Sequence, residues 1–358
     1  MKTLKVIAAG GLVMMIVMAT IGCGGGASSV NMRSGKVYFY QNKDYPKAEQ
    51  LFRAAVGEDP QNWEAQYYLG LSLTMQNKFP EAGAAFDAAH GLAPELKKTQ
   101  VLDTQKQFFG DHFRAGRSAM GSNNLKEALV EFENAVGIYP HDASGYVNLA
   151  YVHRQLGDAA KALEAAKKAV EIDPTSAYAW SNLGAIYQTA KEYKLAADAL
   201  QKVVDLKPTE PGMLSGALYS LGNIYYDSKD YKKALEYYGQ AAEIKSDDPW
   251  LQYQVGVSNL LLERYPEAEP ALRKCADLTV NSTSEEDRGL YEDAMYNLGI
   301  CYLQMQNYDT AILTLESLLA RQKSVEIHEA LGRAYSRKGM TERAMEELKK
   351  ADELRKKK

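Results

Sequence analysis

The chain has 358 residues, 46% of them hydrophobic and 25% charged, with a formal net charge of −4. This is enough apolar material for a well-buried fold, and the acidic balance argues against a nucleic-acid partner. Length alone suggests two or three globular domains, but that count fails for repeats, whose core grows along one axis.

The chain opens with Met1 to Cys23, MKTLKVIAAGGLVMMIVMATIGC. Lys2 and Lys5 form a positive start, Val6 to Ile21 is an uncharged apolar run, and a small residue precedes Cys23, the pattern of a secretory signal. The run is short for the ~20 residues that span a bilayer, which favours export over a permanent transmembrane helix. Thr20-Ile21-Gly22-Cys23 resembles the bacterial lipobox, with Thr20 where leucine is usual, which implies a signal over 1–22 and lipidation at Cys23. The other reading is an ordinary signal with an incidental cysteine. Residues 23–28 read as a flexible tether. Removing the signal takes away two lysines and no acid, so the mature chain becomes more acidic.

From 29 to 358 one pattern recurs. Its clearest copy is Ala177 to Pro208, in which Trp180, Leu183, Gly184 and Tyr187 mark a first helix and Tyr193, Ala196 and Leu200 a second, ended by Pro208. Gly184 and Ala196 leave room where two helices packed ~8–10 Å apart cross. The alanine recurs at Ala48, Ala82, Ala128, Ala162, Ala234, Ala268, Ala311 and Ala344, at a spacing of about 34 residues that is interrupted three times. Extra residues fall near 95–108, where helical spacing predicts a lengthened helix, near 209–214, and near 281–291, where Ser282 and Glu285 predict a capping pair. Pro60, Pro94, Pro140, Pro174 and Pro208 close the first five copies. In the first copy Lys36 stands where the others have glycine or Ala150, as an end repeat would tolerate.

A 34-residue helix-turn-helix with W-x2-L-G-x2-Y in its first helix resembles the tetratricopeptide repeat. The resemblance implies an all-α fold, an α-solenoid winding as a right-handed superhelix of about nine repeats. It also implies a concave groove lined by the first helices. On that register Asn148, Tyr151, Arg154, Tyr178, Asn182, Tyr219, Ser220, Asn223, Tyr226, Trp250, Tyr253, Gln254, Tyr296 and Asn297 are the peptide-binding candidates. Aromatics with a polar tip suit an extended chain. The run Asn148, Asn182, Ser220, Gln254 and Asn297 implies a polar ladder for a peptide backbone, since an amide both donates and accepts; several of the tyrosines would instead fill space between helices.

No catalytic or metal constellation is legible. His90, His112, His141, His153 and His328 are scattered, without HExxH or a pair at ligand spacing. Cys275 and Cys301 fall on helices that should pack together, so an oxidising periplasm would allow a disulfide between them; two buried thiols is the default. The reading is a non-catalytic scaffold without cofactors, exported, periplasmic and lipid-anchored, more at the outer membrane than the inner. It would bind a protein or peptide partner of the cell envelope. A protein that binds peptidoglycan or another glycan is the alternative.

Overall fold

A computed structural model describes residues 29–356, so the signal, Cys23, the tether and the last two lysines lie outside the described residues. The described residues are helical throughout, with no strand among them. Among the described residues eighteen α-helices form nine hairpins, divided between two compact units. The first unit takes the chain to Lys78 together with Ala84–Val101, and the second takes Phe79–Gly83 and everything from Leu102.

The first unit holds α1 (Val30–Val37), which continues as a π-helical turn over Tyr38–Asn42, then α2 (Tyr45–Glu58) and α3 (Trp63–Thr74). Two helices, α4 (Phe79–Leu92) and α5 (Glu95–Gly121), contribute residues to both units. In the second unit follow α6 (Leu125–Ile138), α7 (Ala143–Gln155), α8 (Ala159–Ile172), α9 (Ala177–Thr189), α10 (Tyr193–Leu206), α11 (Pro211–Asp227) and α12 (Tyr231–Ile244). They continue with α13 (Pro249–Leu261), α14 (Tyr265–Thr279), α15 (Glu285–Gln304), α16 (Tyr308–Leu319), α17 (Val325–Arg337) and α18 (Thr341–Lys356). Each of α6 to α17 packs on the next, and the first helices touch as well, α7 on α9, α9 on α11, α13 on α15 and α15 on α17. A hairpin buries one face within itself and the other against its neighbours, so the core runs from hairpin to hairpin.

In seven of the hairpins a glycine on the first helix is required by a large residue sixteen places later. A Cβ on Gly184 would lie 2.9 Å from Leu200 Cγ, and one on Gly222 would lie 2.4 Å from Tyr238 Cε1. Leu200, Tyr238, Leu272 and Leu315 are all at most 3% exposed. In the fourth hairpin Ala150 replaces the glycine and Ala166 replaces the large partner, both at most 1% exposed. The added methyl on one helix is matched by lost volume on the other.

Seven residues beyond each crossing residue the chain turns through the left-handed region, at Asn77, Asn123, Gly157, Lys191, Lys229, Glu263, Gln306 and Gly339. There the amide of Glu192 donates to Tyr187 O at 2.9 Å and that of Lys191 to Gln188 O at 2.9 Å, a Schellman pair that satisfies the free carbonyls ending α9. Asp158 and Asp230 then cap α8 and α12 by accepting from Lys161 N and Lys233 N. α2, α4, α6, α8 and α10 all end before their closing proline, because the residue preceding proline is driven out of helical conformation.

Two expectations are corrected. The crossing residue of the first hairpin is Gly35, not Lys36: Gly35 is buried, and a Cβ there would lie 2.6 Å from Phe52 Cε1. The left-handed turn residue, Lys43 (φ 53°), then comes eight places later, because the π-helical turn over Tyr38–Asn42 holds one extra residue. Lys36 points outward and pairs with Glu64 at 2.9 Å. At the third insert, α15 is capped by Ser284, whose Oγ accepts from Asp287 N, whereas Ser282 donates to the Asp287 carboxylate at 2.6 Å. Near 95–108 the extra residues lie in the 27-residue α5, and near 209–214 they contribute to a 17-residue α11.

Candidate functional site

Tyr219 and Trp250 are brought to one cavity of about 470 Å³ in the second unit. α11 supplies Ser215, Gly216 and Tyr219, the start of α13 supplies Trp250 and Leu251, Lys245 and Asp248 come from the loop before it, and Glu286 from the first turn of α15. Asp248 accepts hydrogen bonds from Trp250 N at 3.0 Å and Leu251 N at 3.2 Å, so the helix cap also fixes where the indole begins. Trp250 is 38% exposed, an unusual position for the largest apolar side chain. Tyr219 is half-buried and leans on Tyr238, with centroids 5.8 Å apart. Lys245 and Glu286 are exposed and neither forms an ion pair among the described residues. The cavity therefore offers two aromatic faces beside one lysine and two carboxylates, of which Asp248 is engaged as the helix cap, suited to an apolar side chain flanked by polar backbone.

The other candidates are distributed. Arg154 lies over the Tyr151 ring, 5.5 Å from its centroid. Tyr178 donates to the Glu210 carboxylate, and this bond raises its pKa above the ordinary tyrosine value. Tyr253 accepts from Asn297 Nδ2 at 3.3 Å, joining α13 to α15, and burial pushes its hydroxyl up to about 12. Tyr226 stands edge-on to Tyr231, and Tyr296 packs against the core of the last three hairpins. Ser220 and Gln254 are half-buried and do not line the cavity.

The amides are largely engaged within the protein. Asn148 Nδ2 donates to Ser144 O in its own helix at 2.8 Å, and Asn182 Nδ2 donates across to Val147 O at 2.8 Å, fastening α9 to α7. Asn182 Oδ1 is buried without a partner. Asn223 Oδ1 accepts from Tyr238 Oη at 2.6 Å. The expected ladder is thus a set of helix-to-helix fasteners at Asn182 and Asn297, and its free amide groups are fewer than the register implied. Lys245, Glu286, Ser215 and Gly216 were not among the sequence candidates. Lys245 sits in a loop outside the repeat register, and Glu285-Glu286 reads in sequence as an ordinary acidic helix start.

Cys275 and Cys301 are free thiols, both fully buried, and burial pushes each up to about 12. His328 Nδ1 lies 2.6 Å from Glu347 in a buried pair that ties α17 to α18. Among the described residues no group of three or more His, Cys, Asp or Glu side chains is placed to hold a metal ion, and no helix is long and apolar enough to cross a membrane.

Tetratricopeptide repeat models match residues 33–96 and 113–177, 165–198, 215–248, 247–324 and 325–358. A Dictyostelium discoideum protein, the DnaJ homolog subfamily C member 7 homolog, is 28% identical over 132 residues, 34% of this chain and 24% of the relative. The chain thus spans about a quarter of that relative's length. Among solved structures, Pseudomonas aeruginosa pilF is 19% identical, covering 63% of this chain and 97% of that one with a TM-score of 0.50. YrrB, described as a TPR protein with an unusual peptide-binding site, is 23% identical, covering 61% and 97% with a TM-score of 0.45. At this identity the likeness to pilF shows the fold alone. With repeat models matching most of its length, the chain belongs to the tetratricopeptide repeat family.

Proposed function

We propose that the protein is a non-catalytic interaction scaffold of the bacterial cell envelope that holds a segment of a partner protein along its first helices, from the fourth to the eighth hairpin. Membership of the family supports a protein-binding role. The observation that carries the finer reading is the cavity where Tyr219 and Trp250 converge, with Trp250 exposed and its position set by the Asp248 cap. A large apolar side chain of the partner fits between the rings, and the unpaired Lys245 and Glu286 set its orientation.

The proposal includes export and lipidation at Cys23, which carry the repeats to the periplasmic face of a membrane, the outer one by preference. Support comes from the positive start, the apolar run and the Gly22-Cys23 pair. Palmitate incorporation that disappears in Cys23→Ser tests it, and labelling that persists rejects it.

The partner reading is tested by crosslinking in cells, followed by affinity measurement of the identified partner with Tyr219→Ala/Trp250→Ala. A loss of ~10-fold or more is expected for a hot-spot pair. Unchanged affinity of the correctly folded double variant refutes the site. A glycan also stacks on an exposed indole, so purified protein that pellets with insoluble peptidoglycan through Trp250, and not with envelope proteins, replaces the protein ligand with a glycan.

A further inference from the structure

A second surface in the same unit lies at the last hairpin. Each large second-helix residue opposite a crossing glycine is buried where the next first helix lies over it: Tyr238 under α13, Leu272 under α15 and Leu315 under α17 are all 0% exposed. The equivalent residue of the last hairpin is Leu348. It sits across Gly332 in the same way, with Leu348 Cδ2 2.9 Å from where a Cβ would be, yet it is 45% exposed, and Met345 one turn earlier is 63% exposed. Among the described residues no helix lies on that face.

Leu348 also lines a cavity of about 490 Å³, together with Ile300, Leu303, Gln304, Arg333 and Arg337. The two arginines are one turn apart on α17, and both are exposed. Among the described residues neither makes an ion pair, hydrogen bond or ring contact, and no acid lines the cavity. Neighbouring carboxylates are committed elsewhere: Glu329 to Arg355, Asp309 to Lys338, and Glu347 to His328 and Lys350. Two guanidinium groups beside an uncovered leucine form an apolar seat with uncompensated positive charge.

We propose that this uncovered face of α18 is a second binding site that takes an amphipathic helix of a partner protein, with an apolar stripe against Leu348 and Met345 and carboxylates toward Arg333 and Arg337. A helix is the occupant because the seat continues the surface on which every earlier hairpin receives one. The acidic character follows from the two unpaired arginines. None of its residues lines the cavity of Tyr219 and Trp250, so variants of the two sites are read separately.

The test uses the full-length protein and a labelled synthetic helix with leucines at i, i+3, i+4 and i+7 flanked by glutamates, read by fluorescence anisotropy. Its controls are the same peptide with glutamine for glutamate, with lysine for glutamate, and with central prolines that forbid the helix. Arg333→Glu/Arg337→Glu is expected to weaken the acidic helix by ~10-fold or more and to gain affinity for the lysine peptide, as expected for a charge reversal. Met345→Glu is expected to weaken binding, Tyr219→Ala/Trp250→Ala to leave it unchanged, and circular dichroism to show every variant folded. Equal binding of the acidic helix by wild type and the arginine variant overturns the proposal, as does equal binding of the proline peptide. A dimer in sedimentation that the arginine variant abolishes, and that the acidic helix cannot displace, overturns it in favour of a second copy of this chain.

Discussion

Gly184 and Leu200 share a space that cannot take one more carbon without movement. A methyl on Gly184 would meet the Leu200 branch point at 2.9 Å, so Gly184→Ala is expected to destabilise the protein by ~1–3 kcal/mol. Leu200→Ala alone is expected to lose ~2–5 kcal/mol by leaving a cavity. The double variant recreates the Ala150 and Ala166 pair of the preceding hairpin, so its loss should be smaller than the two single losses together; urea melts that show simple additivity would refute this complementarity. Glu49 carries a second prediction. Burial alone would raise its pKa, but hydrogen bonds from Lys78, Arg53 and Gln76 outweigh that and hold it down at about 2, against an ordinary 4.5. A depressed folded-state pKa means the stabilisation is present above about pH 4.5 and is lost as pH falls toward 2. Glu49→Gln is therefore expected to destabilise by ~1–3 kcal/mol at pH 7 and by progressively less below pH 4.5, in urea titrations across that range.

The first hairpin shows where a repeat register can slip. VYFYQNKDYP has no glycine and no early proline to announce a wider turn, so counting back from Ala48 at the usual offset lands on Lys36. The π-helical turn adds one residue, and its marker in the structure is Asp44 N donating to Tyr38 O at 3.0 Å, six residues back instead of five. Gly35→Ala is accordingly expected to destabilise by ~1–3 kcal/mol, while Lys36→Ala removes a half-exposed ion pair and a cation–π contact with Tyr68 and costs ~1 kcal/mol or less. The reverse order of midpoints in chemical denaturation would put the crossing back at Lys36. Elsewhere the hairpins were legible because three signals agree in each: the small crossing residue, the turn seven places on and, in the early copies, a closing proline.

In the second unit, stability should vary along the stack, since a hairpin with neighbours on both sides buries more than one with a neighbour on one side. α14 lies between α13 and α15, with Ala268, Leu272 and Cys275 all at 0% exposure, whereas α18 leaves Met345 and Leu348 uncovered. Backbone amides of α18 are expected to exchange roughly tenfold or more faster than those of α14. Equal protection would indicate that the unit opens only as a whole. Bound to the acidic helix proposed above, α18 should slow while α9 to α12 do not.

Periodicity was sufficient for the helices and their pairing, because these follow from residue spacing within one hairpin. The uses of the polar residues could not be read that way. Asn182 and Asn297 belong to the polar run read as a ligand-binding ladder, but their partners are Val147 O and Tyr253 Oη, groups on other helices. Lys245, Glu286 and the uncovered Leu348 became significant for the same reason: loop placement and helix stacking, not local spacing, decide which side chains meet and which face is left open. The sequence by itself determined the hairpin, whose interactions are local in the chain; the tertiary structure decided the sites, because each is assembled from elements that only packing brings together.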